Sequence, residues 1–186
     1  MTVAFDATAL LLLVSRNVGV PTDSDGHVID YARERVDGLI EQIEDSKTKI
    51  LVPTPALSEA LVRVGPGLMK VYTDLLSRSS SFRVAAFDER AALEVAVMTK
   101  QAIDAGNKRG GGEGLWSKIK YDRQIVAIAR VNRASAILSD DRNVQKFGRM
   151  LNMNVIGLGD LPIPSKAGQL SMMEQFEAVT GPPPTA

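Results

Sequence analysis

Five acidic residues fall where a chain of alternating strands and helices could gather them: Asp6 in "FDATALL", Glu59 in "PTPALSEAL", Asp122 in "YDRQIVAIA", and Asp140 and Asp141 in "ILSDDRNVQKF". Asp122 is the most demanding. At about 100° per residue on a helix, Ile119, Ile125, Val126 and Ala129 form one apolar stripe, with Asp122 near its centre. An ionised carboxylate facing a core is costly unless it is paired, hydrogen-bonded or bound to a metal. The position therefore asks for a partner, and an internal arginine and a cation are both available answers. The other acids have plainer readings: Asp6 and one of Asp140 and Asp141 as helix caps, and Glu59 as a solvated residue at the flank of its helix.

The elements around these residues bring them to one rim. "TVAFD" reads as a buried strand entering a helix over 7–15, followed by a loop over 16–27 and a helix over 28–45. A strand at 49–52 leads into a helix that ends at Gly65, with Thr54 as its cap, and another helix runs over 68–76. "FRVAAF", residues 82–87, is a third strand, and Asp88 caps a long helix reaching to about residue 105. The glycine-rich "GNKRGGGEGLW", residues 106–116, reads as a flexible loop before the Asp122 helix. "SAIL", a helix over "DDRNVQKFGRML" and "NVIGL" complete a pattern of five strands. Such alternation predicts a three-layer α/β/α domain on a mainly parallel sheet, over residues 1–160. Residues 161–186 read as a tail with one short helix over 170–179.

In a sheet of that kind ligands bind beyond the carboxyl ends of the strands. Asp6 ends the first strand and the Asp140–Asp141 pair ends the fourth. Glu59 follows the second strand by about two helical turns, and Asp122 sits early in the helix before the fourth. An oxygen-rich cluster in a chain with no cysteine and one histidine suits Mg²⁺ or Mn²⁺, and serves zinc poorly. The matching chemistry is phosphoryl transfer or hydrolysis, where the ion neutralises phosphate and orients water.

Composition agrees without adding detail. The 186 residues are 45% hydrophobic, enough for one core, and 22 Lys and Arg balance 22 Asp and Glu, so a nucleic-acid partner must be held locally. The absence of cysteine is compatible with a reducing cytoplasm. "ALLLLV", residues 9–14, is too short for a membrane span and follows an aspartate rather than a basic region, so no signal peptide is expected.

Taken in order, these four segments resemble the PIN domain, the nuclease fold of VapC-type toxins and of several RNA-processing endonucleases. "FDATALL" is similar to the family's strand-ending Asp with a hydroxyl residue two positions later, here Asp6 and Thr8. "PTPALSEAL" supplies Glu59, "YDRQIVAIA" Asp122, and "ILSDDR" a Ser-x-Asp pattern at Ser139 and Asp141, with Asp140 on the variable position. The resemblance implies a Mg²⁺- or Mn²⁺-dependent endoribonuclease with Asp6, Glu59, Asp122 and Asp141 as ligands and water activators. Asp140 stands as an alternative fourth ligand, and Thr8 and Ser139 orient ligands or bind water. It further implies an RNA substrate and admits an antitoxin partner. The sequence departs from the pattern after Asp141, where Arg142 and Asn143 stand in place of a second acid, and it carries extra length at 16–27, 106–120 and beyond 162.

Lys108, Arg109, Lys118, Lys120 and Arg123 gather around Trp116, as an RNA-backbone and base-stacking surface or as solvated charges beside a packed ring. Met172, Met173 and Phe176 read as packing residues or a homodimer contact. Two rival functions are carried. One is a degenerate PIN domain that binds RNA or protein without cutting. The other is a receiver-type phosphotransfer domain, for which "VIGLGDLP" lacks the lysine needed after a late strand.

Overall fold

The central strands of this chain are short and apolar on both faces, as parallel strands covered by helices must be. In the computed structural model, described for residues 2–14 and 19–164, five of them form one all-parallel sheet. They are β1 (Thr2–Phe5), β2 (Lys49–Pro53), β3 (Phe82–Ala85), β4 (Ala136–Leu138) and β5 (Val155–Ile156), in the order β3-β2-β1-β4-β5. The helices are α1 (Ala7–Val14), α2 (Ala32–Asp45), α3 (Thr54–Val64), α4 (Pro66–Arg78), α5 (Glu89–Asp104), α6 (Trp116–Val131) and α7 (Arg142–Met150). A 3-10 turn, Leu158–Asp160, follows β5.

Side chains alternate across the sheet and so make two cores. Val3, Phe5, Ile50, Val52 and Leu138 pack with Leu10, Val36, Ala56 and Leu76 from α1 to α4. Ala4, Leu51 and Ile137 pack with Met98, Ile119, Val126 and Phe147 from α5 to α7. The result is the α/β/α layering expected from the alternation of elements.

Several boundaries differ for local reasons. The first long helix begins at Ala32 rather than residue 28, because Val28 forms an antiparallel bridge with Thr22. The turn between them is held by Asp23 Oδ1, which accepts from Asp25 N–H at 2.8 Å and His27 N–H at 2.9 Å. The third strand stops at Ala85, and α4 runs from Pro66 to Arg78, beyond the expected 68–76. Thr54 does not cap α3; its Oγ1 accepts from the Phe87 N–H at 3.2 Å. Asp88 does cap α5, accepting from Ala91 N–H at 3.0 Å.

The glycine-rich segment is pinned on both sides. The Arg123 guanidinium donates to Lys108 O at 2.8 Å, Asn143 exchanges hydrogen bonds with the Glu113 backbone, and Lys146 donates to Gly111 O. Gly110 and Gly111 have φ of 58° and 73°, a region glycine enters at little cost. Gly112 lies so close to Phe147 that an added Cβ would sit 2.8 Å from its ring. The expected helix over 170–179, with Met172, Met173 and Phe176, lies outside the described residues.

Candidate functional site

The central strands set the geometry. Phe5 and Leu138 are register partners in β1 and β4, so the next residues, Asp6 and Ser139, leave the sheet side by side. Asp6 N–H continues the ladder to Leu138 O at 3.2 Å. One carboxylate oxygen of Asp6 accepts from Ala9 N–H at 2.9 Å, so it caps the first turn of α1. The Ser139 hydroxyl donates to Asp6 and accepts from Asp141 N–H at 3.1 Å, tying the two strand ends together. Burial of Asp6, helped by the charges of Asp140 and Asp141 and opposed by the hydrogen bonds from Ala9 and Ser139, raises its pKa to about 6.

Asp141 is the N-cap of α7, its Oδ1 accepting from Asn143 N–H at 2.8 Å and Val144 N–H at 3.1 Å. Its second oxygen is free to turn toward α6. There it meets the ammonium of Lys118 at 2.5 Å. The same Nζ lies 3.1 Å from Asp122 Oδ2 and 3.3 Å from Oδ1. Asp122 is buried, as its place in the apolar stripe requires, and its other partner is Asn143, whose Nδ2 donates to Oδ2 at 2.7 Å. Burial and the nearby Asp141 charge raise the Asp122 pKa, against the pull of Asn143 and Lys118. The partner the sequence demanded is thus a lysine one helical turn earlier, together with an asparagine on α7.

The remaining acids point elsewhere. Asp140 turns toward the 3-10 turn and accepts from Leu158 N–H at 3.1–3.2 Å through both oxygens. Its pKa is raised by burial and by the charges of Asp160 and Asp23. Glu59 is exposed on α3 and pairs with Arg63 at 2.6 Å, an i,i+4 contact on the helix surface. Thr8, Arg63, Lys118, Asp140, Asp141 and Asn143 line an open cleft of about 710 Å³ above the strand ends. Its far wall is the 19–24 segment, which Arg142 holds by pairing with Asp25 and donating to Ser24 O.

The basic group around Trp116 divides. Arg123, expected at an RNA-facing surface, is buried between the Trp116 and Phe147 rings, 5.5 Å and 5.1 Å from their centroids, and donates to Thr99 Oγ1 at 2.9 Å. Burial lowers its pKa. Trp116 is half-buried, with Lys108 Nζ 5.2 Å from its ring, so one of its faces already carries cations. Arg109 donates to Gly114 O at 2.5 Å, and Lys120 is exposed. Lys118 belongs to the acids rather than to a separate basic surface. Asn143 is the residue that sequence reasoning passed over, noted only as a departure; its spacing of four residues from Phe147, beside Val144, was the available signal, and it is buried with them on α7.

Whether these residues suit a divalent ion can be judged from their donors. Asp6, Asp122 and Asp141 offer only hard oxygen, and two of them already share one cation, the Lys118 ammonium. Among the described residues, no three acidic or histidine side chains stand together as a finished ion site. The donors fit such an ion in kind. In number they fall short, since Asp6 is not among the partners of the cation that Asp122 and Asp141 share.

A scan against protein-family models finds no match, and a search of curated proteins finds none. Among solved structures, the chain is similar to VapBC2 from Rickettsia felis bound to a promoter DNA fragment: TM-score 0.56 at 11% identity, covering 84% of this chain and 98% of that one. Tyrosyl-tRNA synthetase from Leishmania major matches at TM-score 0.47 and 13% identity over 33% of its length, too distant to argue from. The likeness to VapBC2 shows a shared PIN-like α/β fold. No described helix is long and apolar enough to cross a membrane.

Proposed function

We propose that this protein is a PIN-type endoribonuclease that hydrolyses RNA phosphodiester bonds with Mg²⁺ or Mn²⁺, held by Asp6, Asp122 and Asp141. The observation that supports this reading is the pairing of Asp122 from α6 and Asp141 from the β4–α7 junction with one cation, the Lys118 ammonium, beside the strand end where Ser139 ties Asp6 to the Asp141 backbone. The PIN-like fold shared with a VapBC assembly supports it, and supports an antitoxin as protein partner. A bound divalent ion would supply charge neutralisation for the phosphate and a more acidic water. The chain's own residues then do the positioning. Ser139 ties the Asp6 carboxylate to the Asp141 backbone, and Asn143 holds the Asp122 carboxylate toward α7. A carboxylate of the cluster would accept the proton of the attacking water. Thr8 and Arg63 line the cleft where RNA would lie, and Lys108, Arg109 and Lys120, outside that lining, are the remaining candidate contacts to its backbone. Glu59, exposed and paired with Arg63, stands outside this set.

A second reading is favoured by a specific contact. The Lys118 ammonium already bridges Asp122 and Asp141, an ion pair that a non-cutting RNA- or protein-binding domain would retain permanently. Cleavage of single-stranded RNA in Mn²⁺ or Mg²⁺ separates the two. The nuclease reading expects cleavage by the wild type, its loss in EDTA, and its loss in a folded Asp122→Asn variant. Equal behaviour of the wild type and Asp122→Asn would overturn it.

A further inference from the structure

Arg123 is the largest fully buried side chain among the described residues, 1% exposed, and it is a cation. Arg63, Lys118, Arg130 and Arg142 each pair with a carboxylate, whereas no described carboxylate pairs with Arg123. Its terminal nitrogens are taken: one donates to Thr99 Oγ1 on α5 and the other to Lys108 O in the glycine-rich segment. The Nε–H is buried without an acceptor among the described residues. The Trp116 and Phe147 rings temper the charge without cancelling it, because ring faces return only a fraction of what a buried ion loses on leaving water. Arg123 also walls a cavity of about 40 Å³ between α5 and α7, with Met98, Gln101, Ala102, Phe147 and Leu151, and no described acid lines it. A water needs roughly 10–15 Å³ of such space, so the cavity takes one chloride-sized ion or about two to three waters.

We propose that this cavity binds a small monovalent anion of the chloride class, held by the Arg123 Nε–H and the guanidinium charge. Water in the same space would satisfy the Nε–H and leave the charge unbalanced. An anion does both, in an apolar surrounding where the Coulomb attraction is weakly screened. The volume excludes sugar acids and nucleotides. Occupancy also reaches the acid cluster. Arg123 fastens Lys108 O, the same segment holds Asn143 through the Glu113 backbone, and Asn143 donates to Asp122. Neutralising the buried pin therefore steadies residues 106–115 and, through Asn143, one wall of the candidate site. The anion site stands independently of whether the protein cuts RNA.

The test melts full-length wild type, Arg123→Met and Ala102→Val in sodium chloride, sodium bromide and sodium gluconate at equal ionic strength in EDTA. Anomalous diffraction at the bromine edge, from wild-type crystals grown in bromide, locates the ion. Wild type should gain about 3–6 °C once chloride stands tenfold above its Kd, and the gain should saturate. Bromide should act alike, and gluconate, too large to enter, should give no such step. Arg123→Met removes the charge and Ala102→Val fills the cavity while keeping it, so both should lose the chloride step. Proteolysis within 106–115 should slow in chloride for wild type alone. Equal melting of wild type in chloride and gluconate overturns the proposal, as does a chloride step that survives in either variant. Bromide peaks that leave this cavity to water overturn it too. Should Arg123→Met fail to fold, Ala102→Val and the bromide crystal carry the comparison.

Discussion

Replacing Asp6 by Asn should stabilise the metal-free protein, and by an amount that depends on pH. The folded carboxyl has a pKa raised from 3.8 to about 6, so between those values the native state binds a proton that the unfolded chain has released. The stability this adds is fully present below pH 3.8 and is lost as pH rises through 6. Above pH 7 the native state carries an ionised, buried Asp6 at a cost of 2.2 pKa intervals, or about 3 kcal/mol at 1.36 kcal/mol each. Asparagine removes that cost while its side-chain oxygen still accepts from Ala9 N–H. In EDTA at pH 7.5 the variant should therefore gain up to about 3 kcal/mol, or roughly 6–12 °C in melting temperature for a chain of this size. At pH 5 the gain falls to about half, and near pH 3.5 it vanishes. Urea unfolding of both proteins at the three pH values measures the difference directly. A destabilised Asp6→Asn at pH 7.5, or a gain that does not change with pH, would refute the claim that this carboxylate is held against its own charge.

The other predictions concern the residues that place the cluster. Asn143→Ala leaves Asp122 and the Glu113 backbone without their donor and acceptor, so it should cost about 2 kcal/mol in urea unfolding and open residues 106–115 to limited proteolysis. Asp140→Asn should leave Mn²⁺ affinity near wild type, since that side chain faces Leu158, whereas Asp141→Asn should lower it about tenfold; calorimetry on the pair decides between them. Gly148→Ala would place a Cβ 2.4 Å from Val155 Cγ2, where α7 crosses β5, and should lose about 1–3 kcal/mol by thermal melting. Gly67→Ala, on α4 with open space around the added methyl, should be neutral or stabilising in the same assay.

The place of Asp6 and Asp141 on one rim was legible because a short apolar run followed by an acid marks a strand end, and parallel strands put their ends on one side. Asp122 was legible from its stripe, and its burial bears that out. Its partner was also in the sequence, as a lysine at i−4, but lysines in a glycine-rich, basic stretch were read as facing RNA. Helical periodicity separated Asp122 from Arg123 by about 100°, and predicted one of them outside; instead α6 is buried around most of its circumference, between two sheet strands, α5 and α7. Glu59 shows the reverse. Two turns into α3, its direction depends on a side chain with three rotatable bonds, and Arg63 at i+4 holds it at the surface. The anchored 106–115 loop was not legible because its contacts are to Asn143, Lys146 and Phe147, distant in sequence and brought near only by the fold of α7 onto α6.

Anomalous diffraction at the manganese edge, from crystals soaked in Mn²⁺, tests the central claim most directly. The account predicts a peak bounded by the carboxylates of Asp6, Asp122 and Asp141. A soaked crystal in which Lys118 still bridges Asp122 and Asp141, with no manganese between the strand ends, would contradict it.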